Sequence, residues 1–338
     1  MPSRVTLQDV AVRADTSRTT AHYVLTGRDR EMRIAEETRR RVLRAANELR
    51  YRPDLMARGL RTRVTRTIAL ITDTIATEAY AGGLVHGALA AAAGHGHLLF
   101  VCETEEDPAL EERLVGELAD RHVDAYLYAS MFTRDVSLPA GLRTQRVALL
   151  NCRTSQRKCP WVVPDERRGG RDAARILLET GHREGIWLVG EPNEQVVAGL
   201  ERTAGIQETL RAAGTALAGT VHCTWWPESA YEEFGAFLDG GGRASAVICL
   251  NDRVAMGVYQ ALTARGLSVP GDVSVVSFDD SDLAVWLQPP LTSVALPHRE
   301  MAARAVRLLL GRQTPTELEV RVPMPVRLRE SVRPAASA

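Results

Sequence analysis

Between residues 7 and 49 the apolar positions recur every three or four residues. Leu7, Val10, Ala11 and Ala14 line one face of a first short helix, and Ala21, Val24 and Leu25 line a second. Val42, Ala45, Ala46 and Leu49 line a third. Thr6 followed by Asp9 has the capping-box spacing, and Ser17, after the break "DTS", is placed to cap the second helix. From Thr67 the texture changes. Short apolar runs such as "TIALITD", "HLLFVCE", "DAYLYAS" and "RVALLNC" alternate with helical patterns such as "PALEERLVGELADRH". After Trp161 the alternation restarts with "RGGRDAARILLETGH", "GIWLVGE", "AVICLND" and "VSVVSFDD". Strands alternating with helices predict parallel α/β layers, and two rounds predict two lobes with a cleft between them. Ligands in such sheets bind beyond the carboxyl ends of the strands.

Charge separates the two parts. Residues 1–66 hold 16 arginines, no lysine and 8 acids, a net of +8, while the remainder holds 26 basic and 34 acidic residues, a net of −8. A basic head on an acidic body points to a polyanion partner at one end only. The 338 residues, 45% hydrophobic and 25% charged, suffice for two or three domains and a large core. No apolar run reaches the length of a membrane span, and the N-terminus lacks a secretory signal pattern. The five cysteines (Cys102, Cys152, Cys159, Cys223, Cys249) form no CxxC pair, which fits a reduced, cytoplasmic compartment and gives no zinc site. No GxGxxG follows a strand, and neither a nucleophile triad nor an H-E-x-x-H helix is present, so no enzyme activity, cofactor or metal is expected.

Two short helices joined by about three residues and packed by a third make the helix-turn-helix plan, whose second helix enters the major groove. The polar side of "SRTTAHYVLTG" then faces DNA. Arg18 suits guanine O6 and N7, Thr19 suits either base type, and His22 and Tyr23 suit bases or phosphates. A three-helix bundle with no role on DNA stays open on these residues alone.

"VTLQDVAVRADTSRTTAHYVLTG" followed by "ETRRRVLRAANELRYRPDLMARGLRT" resembles the DNA-binding headpiece of the LacI/GalR family of transcriptional regulators, and the likeness runs on to "PVRLRES". The resemblance implies a small all-α helix-turn-helix headpiece (1–52), a hinge helix and linker (53–66), and an α/β two-lobed periplasmic-binding-protein-like effector domain (67–338). Within that domain the N-lobe is expected at about 67–162 plus 293–321, and the C-lobe at about 163–292 plus 322–334. Thr6, Ser17, Arg18, Thr19, His22, Tyr23 and Arg28 become candidate DNA contacts. Leu60 matches the hinge leucine that wedges into the minor groove of a dimer's operator. Asp165, Arg202, Asn251 and Asp279 match effector-holding positions, and their chemistry suits hydroxylated ligands. Trp225, with Trp226 as its competitor, is a candidate for stacking on a sugar, and Tyr80 for the opposite wall. Asp252 is expected to cap the helix after Asn251, while Asp279 and Asp280 divide ligand contact from loop capping. His182 is expected to be a structural turn residue, and His298 has no assignment.

Three departures stand out. His22 and Tyr23 replace a usual serine and arginine. The arginine-rich turn "TGRDREMRI" is longer than the common form, so Arg28, Arg30 and Arg33 are expected to add phosphate contacts. Ala35 stands where a serine cap is usual. The whole implies a homodimeric repressor in the cytoplasm that binds a pseudo-palindromic double-stranded operator and is controlled by a small molecule, a sugar first and a purine corepressor second. A solute-binding protein or an α/β enzyme with a basic appendage rank below it.

Overall fold

The computed structural model describes residues 5–52, 64–76, 82–190, 196–311 and 318–333. They fall into two units, Met1–Thr65 and Arg66–Ala338. Leu60, Tyr80 and nearly all of the expected hinge helix lie outside the described residues.

In the first unit α1 (Leu7–Arg13), α2 (Arg18–Leu25) and α3 (Glu36–Glu48) bury Val10, Ala11, Ala14, Ala21, Val24, Val42, Ala45 and Ala46 in one core. These are the periodic positions of the sequence. The Thr6–Asp9 capping box forms in both directions. The Asp9 N–H donates to the Thr6 hydroxyl at 3.3 Å, and the Thr6 N–H donates to the Asp9 carboxylate at 2.8 Å. Ala35 precedes α3 without a side-chain cap.

The second unit contains two six-stranded sheets. The first has the order β11-β5-β4-β3-β1-β2, all parallel, from β1 (Thr67–Thr72), β2 (Leu98–Glu103), β3 (Ala125–Asp135), β4 (Val147–Arg153), β5 (Trp161–Pro164) and β11 (Glu319–Val322). Helices Gly82–Gly94 and His298–Leu310 cover one face, and Pro108–Asp120 covers the other. The second has the order β12-β10-β9-β8-β6-β7, from β6 (Ile186–Val189), β7 (Gly219–Val221), β8 (Ala246–Cys249), β9 (Ser274–Asp279), β10 (Thr292–Ala295) and β12 (Val326–Arg327), with only β12 antiparallel. Helices Glu166–Glu179 and Val197–Ala212 cover one face, and Pro227–Asp239 and Asp252–Thr263 cover the other. Both sheets are doubly wound, which places the carboxyl ends of the strands at the loops.

The lobe boundaries differ from the expected ones. β10 pairs with β9, so residues 293–295 belong to the C-lobe, and the chain returns to the N-lobe only after Ala295. Residues 163–164 and 322 belong to the N-lobe sheet through the β5–β11 pairing. The sequence cannot signal this, because an apolar strand reads the same in either sheet.

Candidate nucleic-acid interface and effector cleft

The head positions its candidates by capping. The Ser17 hydroxyl accepts from the Thr20 N–H at 3.0 Å, starting α2 at that residue. Arg18 and Thr19 stand exposed on the first turn, while Ala21 and Val24 are buried beneath it. His22 and Tyr23 are half-buried one turn later, with ring centroids 6.1 Å apart. Arg28 is less available than the sequence suggests. Its guanidinium donates twice to Glu31, at 2.8 and 2.7 Å, and lies 5.4 Å above the Tyr23 ring. Glu31 is held below its ordinary carboxylate range by that pairing. Arg30 and Arg33 are exposed, and Arg33 adopts a left-handed backbone at φ 52°.

The C-lobe side of the cleft is built on a close helix crossing. Gly170 and Gly205 face each other's helices, and a methyl group on Gly205 would collide with the Arg167 carbonyl oxygen. The absence of side chains there lets helices 166–179 and 197–212 approach closely. Arg202 consequently reaches Glu166, donating at 2.7 and 3.3 Å, and donates to the Leu250 carbonyl at 2.5 Å. Its guanidinium also lies 3.6 Å from Asp279, 4.6 Å over Phe278 and 5.6 Å over Trp225. Arg202 and Glu166 are each only 2% exposed. Asp279 and Asp280 both have left-handed backbones, at φ 112° and 55°, which turns the chain sharply out of β9.

Four of the sequence candidates therefore meet. Arg202 touches Asp279 and Trp225, and the Asn251 amide donates to the Trp225 carbonyl at 3.3 Å. Asp165 does not join them. Its carboxylate caps helix 166–179 by accepting from the Arg168 N–H at 3.2 Å. Trp226 is 51% exposed and stacked by Arg253 at 4.4 Å, which leaves Trp225 as the aromatic at the cleft.

The expected division of labour around residue 252 is reversed. Asn251 is the cap, accepting from the Val254 N–H at 2.7 Å. Asp252 instead gathers the hydroxyls of Ser277, Ser281 and Ser293 and the Ser281 N–H, tying β9, β10 and the loop between them. Burial raises its carboxyl pKa, and those donors pull it back. Asp280 pairs with Arg329 at 2.5 Å and Arg327 at 3.5 Å, so it anchors the returning C-terminal segment. His182 fills a buried turn, its Nε2 within 3.1 Å of the Ser274 hydroxyl and the Arg333 carbonyl.

The N-lobe contributes residues that the sequence pattern does not reveal. Asp73 accepts from the Ser130 hydroxyl (2.9 Å), the Met131 N–H (3.0 Å) and Arg134 (2.9 Å). Asn151 donates to the Ser130 and Met131 carbonyls at 3.0 and 2.8 Å. These two residues hold the register shift in β3 between Ala129 and Arg134. Phe132, inside that shift, meets Trp225 edge-to-face at 5.4 Å. Glu166 and Phe132 are thus additions to the candidate site.

A capped helix-turn-helix followed by a two-lobed α/β body with polar and aromatic groups at its strand ends defines a ligand-responsive DNA-binding protein. Residues 6–54 match bacterial regulatory proteins of the lacI family, and residues 174–332 match a periplasmic binding protein-like domain. The HTH-type transcriptional regulator CelR of Thermobifida fusca is 35% identical over 335 residues, covering 96% of this chain and 95% of that protein. A solved CelR–cellobiose complex is 31% identical with a TM-score of 0.69, over 97% of this chain and all of that one (100%). The lac repressor dimer bound to operator and an anti-inducer shares the fold, with a TM-score of 0.82 at 23% identity over 98% and 100% of the two chains. The chain belongs to the lacI family of bacterial regulatory proteins and is a DNA-binding transcriptional regulator. No described helix is long and apolar enough to cross a membrane.

Proposed function

We propose that this regulator is a cytoplasmic, homodimeric repressor without enzymatic activity, and that an uncharged hydroxylated ligand, a sugar, binds between its lobes and sets its affinity for a pseudo-palindromic operator. One headpiece reads one half-site, so two copies match the two-fold symmetry of such an operator. Arg18 and Thr19 carry base readout, while Ser17 and Thr6 place the helices that carry them. His22 and Tyr23 flank the same surface. The observation that carries the sugar reading is the joining of Arg202, Glu166 and Asp279 beneath Trp225. Charged hydrogen-bonding groups beside an aromatic face suit a ring with hydroxyls around its edge and C–H bonds on its face. The cellobiose complex of CelR supports the same class.

The test is genome-wide footprinting of the full-length protein, followed by titration of a recovered fragment with and without cellobiose. A preferred fragment whose affinity changes with the sugar is the expected result. Effector and operator affinities should be reciprocally coupled by about 1–3 kcal/mol. Failure to prefer any genomic fragment over random duplex overturns the DNA reading, and an affinity indifferent to every sugar tried overturns the effector class.

A further inference from the structure

The end of α2 turns a later residue back onto the helix. Gly27 takes a left-handed backbone at φ 74°, a conformation that a side chain would strain. Its N–H donates to the Val24 carbonyl at 3.1 Å, and the Arg28 N–H donates to the Tyr23 carbonyl at 2.9 Å. These two bonds make a Schellman motif, which sets the residue after the glycine against the third residue from the helix end. Here that pair is Arg28 and Tyr23, and the guanidinium lies 5.4 Å over the ring. Both carboxylate oxygens of Glu31 fix the same guanidinium, at 2.8 and 2.7 Å. The turn beneath them is itself tied down. The Met32 N–H donates to the Arg28 carbonyl at 3.0 Å, and the Ile34 N–H to the Asp29 carbonyl at 2.9 Å. Ile34 packs on the headpiece core, and Asp29 pairs with Arg39 of α3 at 3.3 Å. Tyr23 follows Thr19 by one helical turn and so shares its face of α2.

We propose that Arg28 and Glu31 are positioning residues for base readout: together they hold the Tyr23 ring in one orientation on α2, and Tyr23 reads one base pair in each half-site. The proposal rests on α2 being the helix that meets the base edges. It replaces the phosphate contact expected of Arg28 from the sequence. A guanidinium forked onto a carboxylate has two of its donors committed, and reaching a phosphate with them means breaking that bidentate pair first. A tyrosine on a helix surface otherwise samples several rotamers, and fixing one beforehand removes that ordering cost from DNA binding. The two roles leave different marks. A displaced reading residue is felt at the base pair it faces, whereas a lost phosphate contact weakens every sequence alike. The long turn thus serves sequence choice through Arg28, while Arg30 and Arg33, both exposed, stay as its phosphate candidates.

The experiment measures binding of the full-length protein to duplexes carrying every single base-pair change in a footprinted operator. The proteins are wild type, Tyr23→Ala, Arg28→Ala, Glu31→Ala, and Tyr23→Ala combined with each of the other two. Tyr23→Ala should flatten the preference at one base pair per half-site by about 5-fold or more. Arg28→Ala and Glu31→Ala should flatten the same base pair, although one removes a positive charge and the other a negative one. Neither should flatten it further once Tyr23 is alanine. Preferences at the remaining base pairs should persist, which checks that the headpiece stays folded. If Arg28→Ala instead weakens all duplexes alike and lowers the salt slope by about 1, Arg28 is a phosphate contact and the proposal is overturned. Wild-type preferences in Arg28→Ala or in Glu31→Ala overturn it too, as does loss of preference at every base pair in either variant, which would assign the turn to folding alone. If neither Arg18→Ala nor Tyr23→Ala alters any preference, the placement of α2 against the bases fails with it.

Discussion

Phe132 and Trp225 meet edge-to-face at 5.4 Å, one ring from each lobe. Phe132 belongs to β3 of the N-lobe and Trp225 packs against the C-lobe core, so the pair registers how far the lobes are closed. Phe132→Ala and Trp225→Ala should each weaken effector binding, Trp225→Ala by about 10-fold or more. A double-mutant cycle should return a coupling of about 0.5–1.5 kcal/mol in the stability of the ligand-free protein. Strict additivity in the cycle would mean the two rings do not communicate.

Glu166 is the buried partner of Arg202. Glu166→Gln should lower stability by about 3 kcal/mol, because the guanidinium keeps its charge and loses its principal counter-ion. Replacing both, as Glu166→Gln with Arg202→Met, should recover part of that loss while abolishing effector binding. Urea unfolding of the three variants checks it.

The helix crossing that delivers Arg202 depends on Gly205. Gly205→Ala should cost about 1–3 kcal/mol from overpacking and should weaken ligand binding with it, since the crossing sets where the guanidinium stands. Gly116, inside helix Pro108–Asp120, is the opposite case, because a methyl group added there would meet nothing within 4 Å. Gly116→Ala should stabilise by about 0.5–1 kcal/mol and leave binding alone. Thermal unfolding of both separates a packing glycine from a merely tolerated one.

In the headpiece, Arg18→Ala should remove discrimination between operator and random duplex while the effector affinity stays as it was. Glu31→Gln should release Arg28 from its ion pair. If Arg28 then reaches a phosphate, the slope of log affinity against log salt steepens by about 1. An unchanged slope assigns Arg28 to the turn alone. Competition binding across a salt series measures both effects.

His298 predicts an acid limb in stability. The unfolded chain takes up a proton near the ordinary histidine value of 6.5, whereas the folded protein resists it until about 4. Between those values the unfolded state binds more protons, so stability falls as pH falls. From pH 7 to pH 5 the loss should be about 2 kcal/mol, with none above pH 7 from this residue. His182, also lowered by burial, acts in the same direction. The test is therefore the difference between wild type and His298→Leu, whose curve should be flatter below pH 6.5. The charge that bears on His298 is that of Arg202, itself paired with Glu166 and Asp279.

The head was readable because its three helices are short and amphipathic and the first two are locally capped. Thr6, Ser17 and the buried faces all act within four residues of themselves. The α/β order of the body was legible for the same reason, as each strand and helix carries its own period. The cleft was legible only in part. Arg202, Asn251, Asp279 and Trp225 lie at strand ends or on a helix facing them, where polar residues interrupt apolar texture. Glu166 was hidden because an acid beside a helix cap reads as a solvated first turn. Phe132 depends on a β3 irregularity held by Asp73 and Asn151, residues 58 and 20 positions from Met131 in the chain. The choice of Asn251 over Asp252 as the cap rests on serines 25 to 41 residues further on. Distances of that kind leave no local pattern.

The last strands have a consequence for how the protein is made. β11 completes one sheet, while β10 and β12 complete the other, and the Ser331 hydroxyl closes the network on Val275 and Thr292. A ribosome has released every core residue of the DNA-reading helices by position 51, yet neither lobe has all its strands until residues 319–331 emerge. Nascent chains therefore carry a finished address reader well before the module that governs it is whole, and premature stop codons upstream of residue 319 would yield products that have the first without the second.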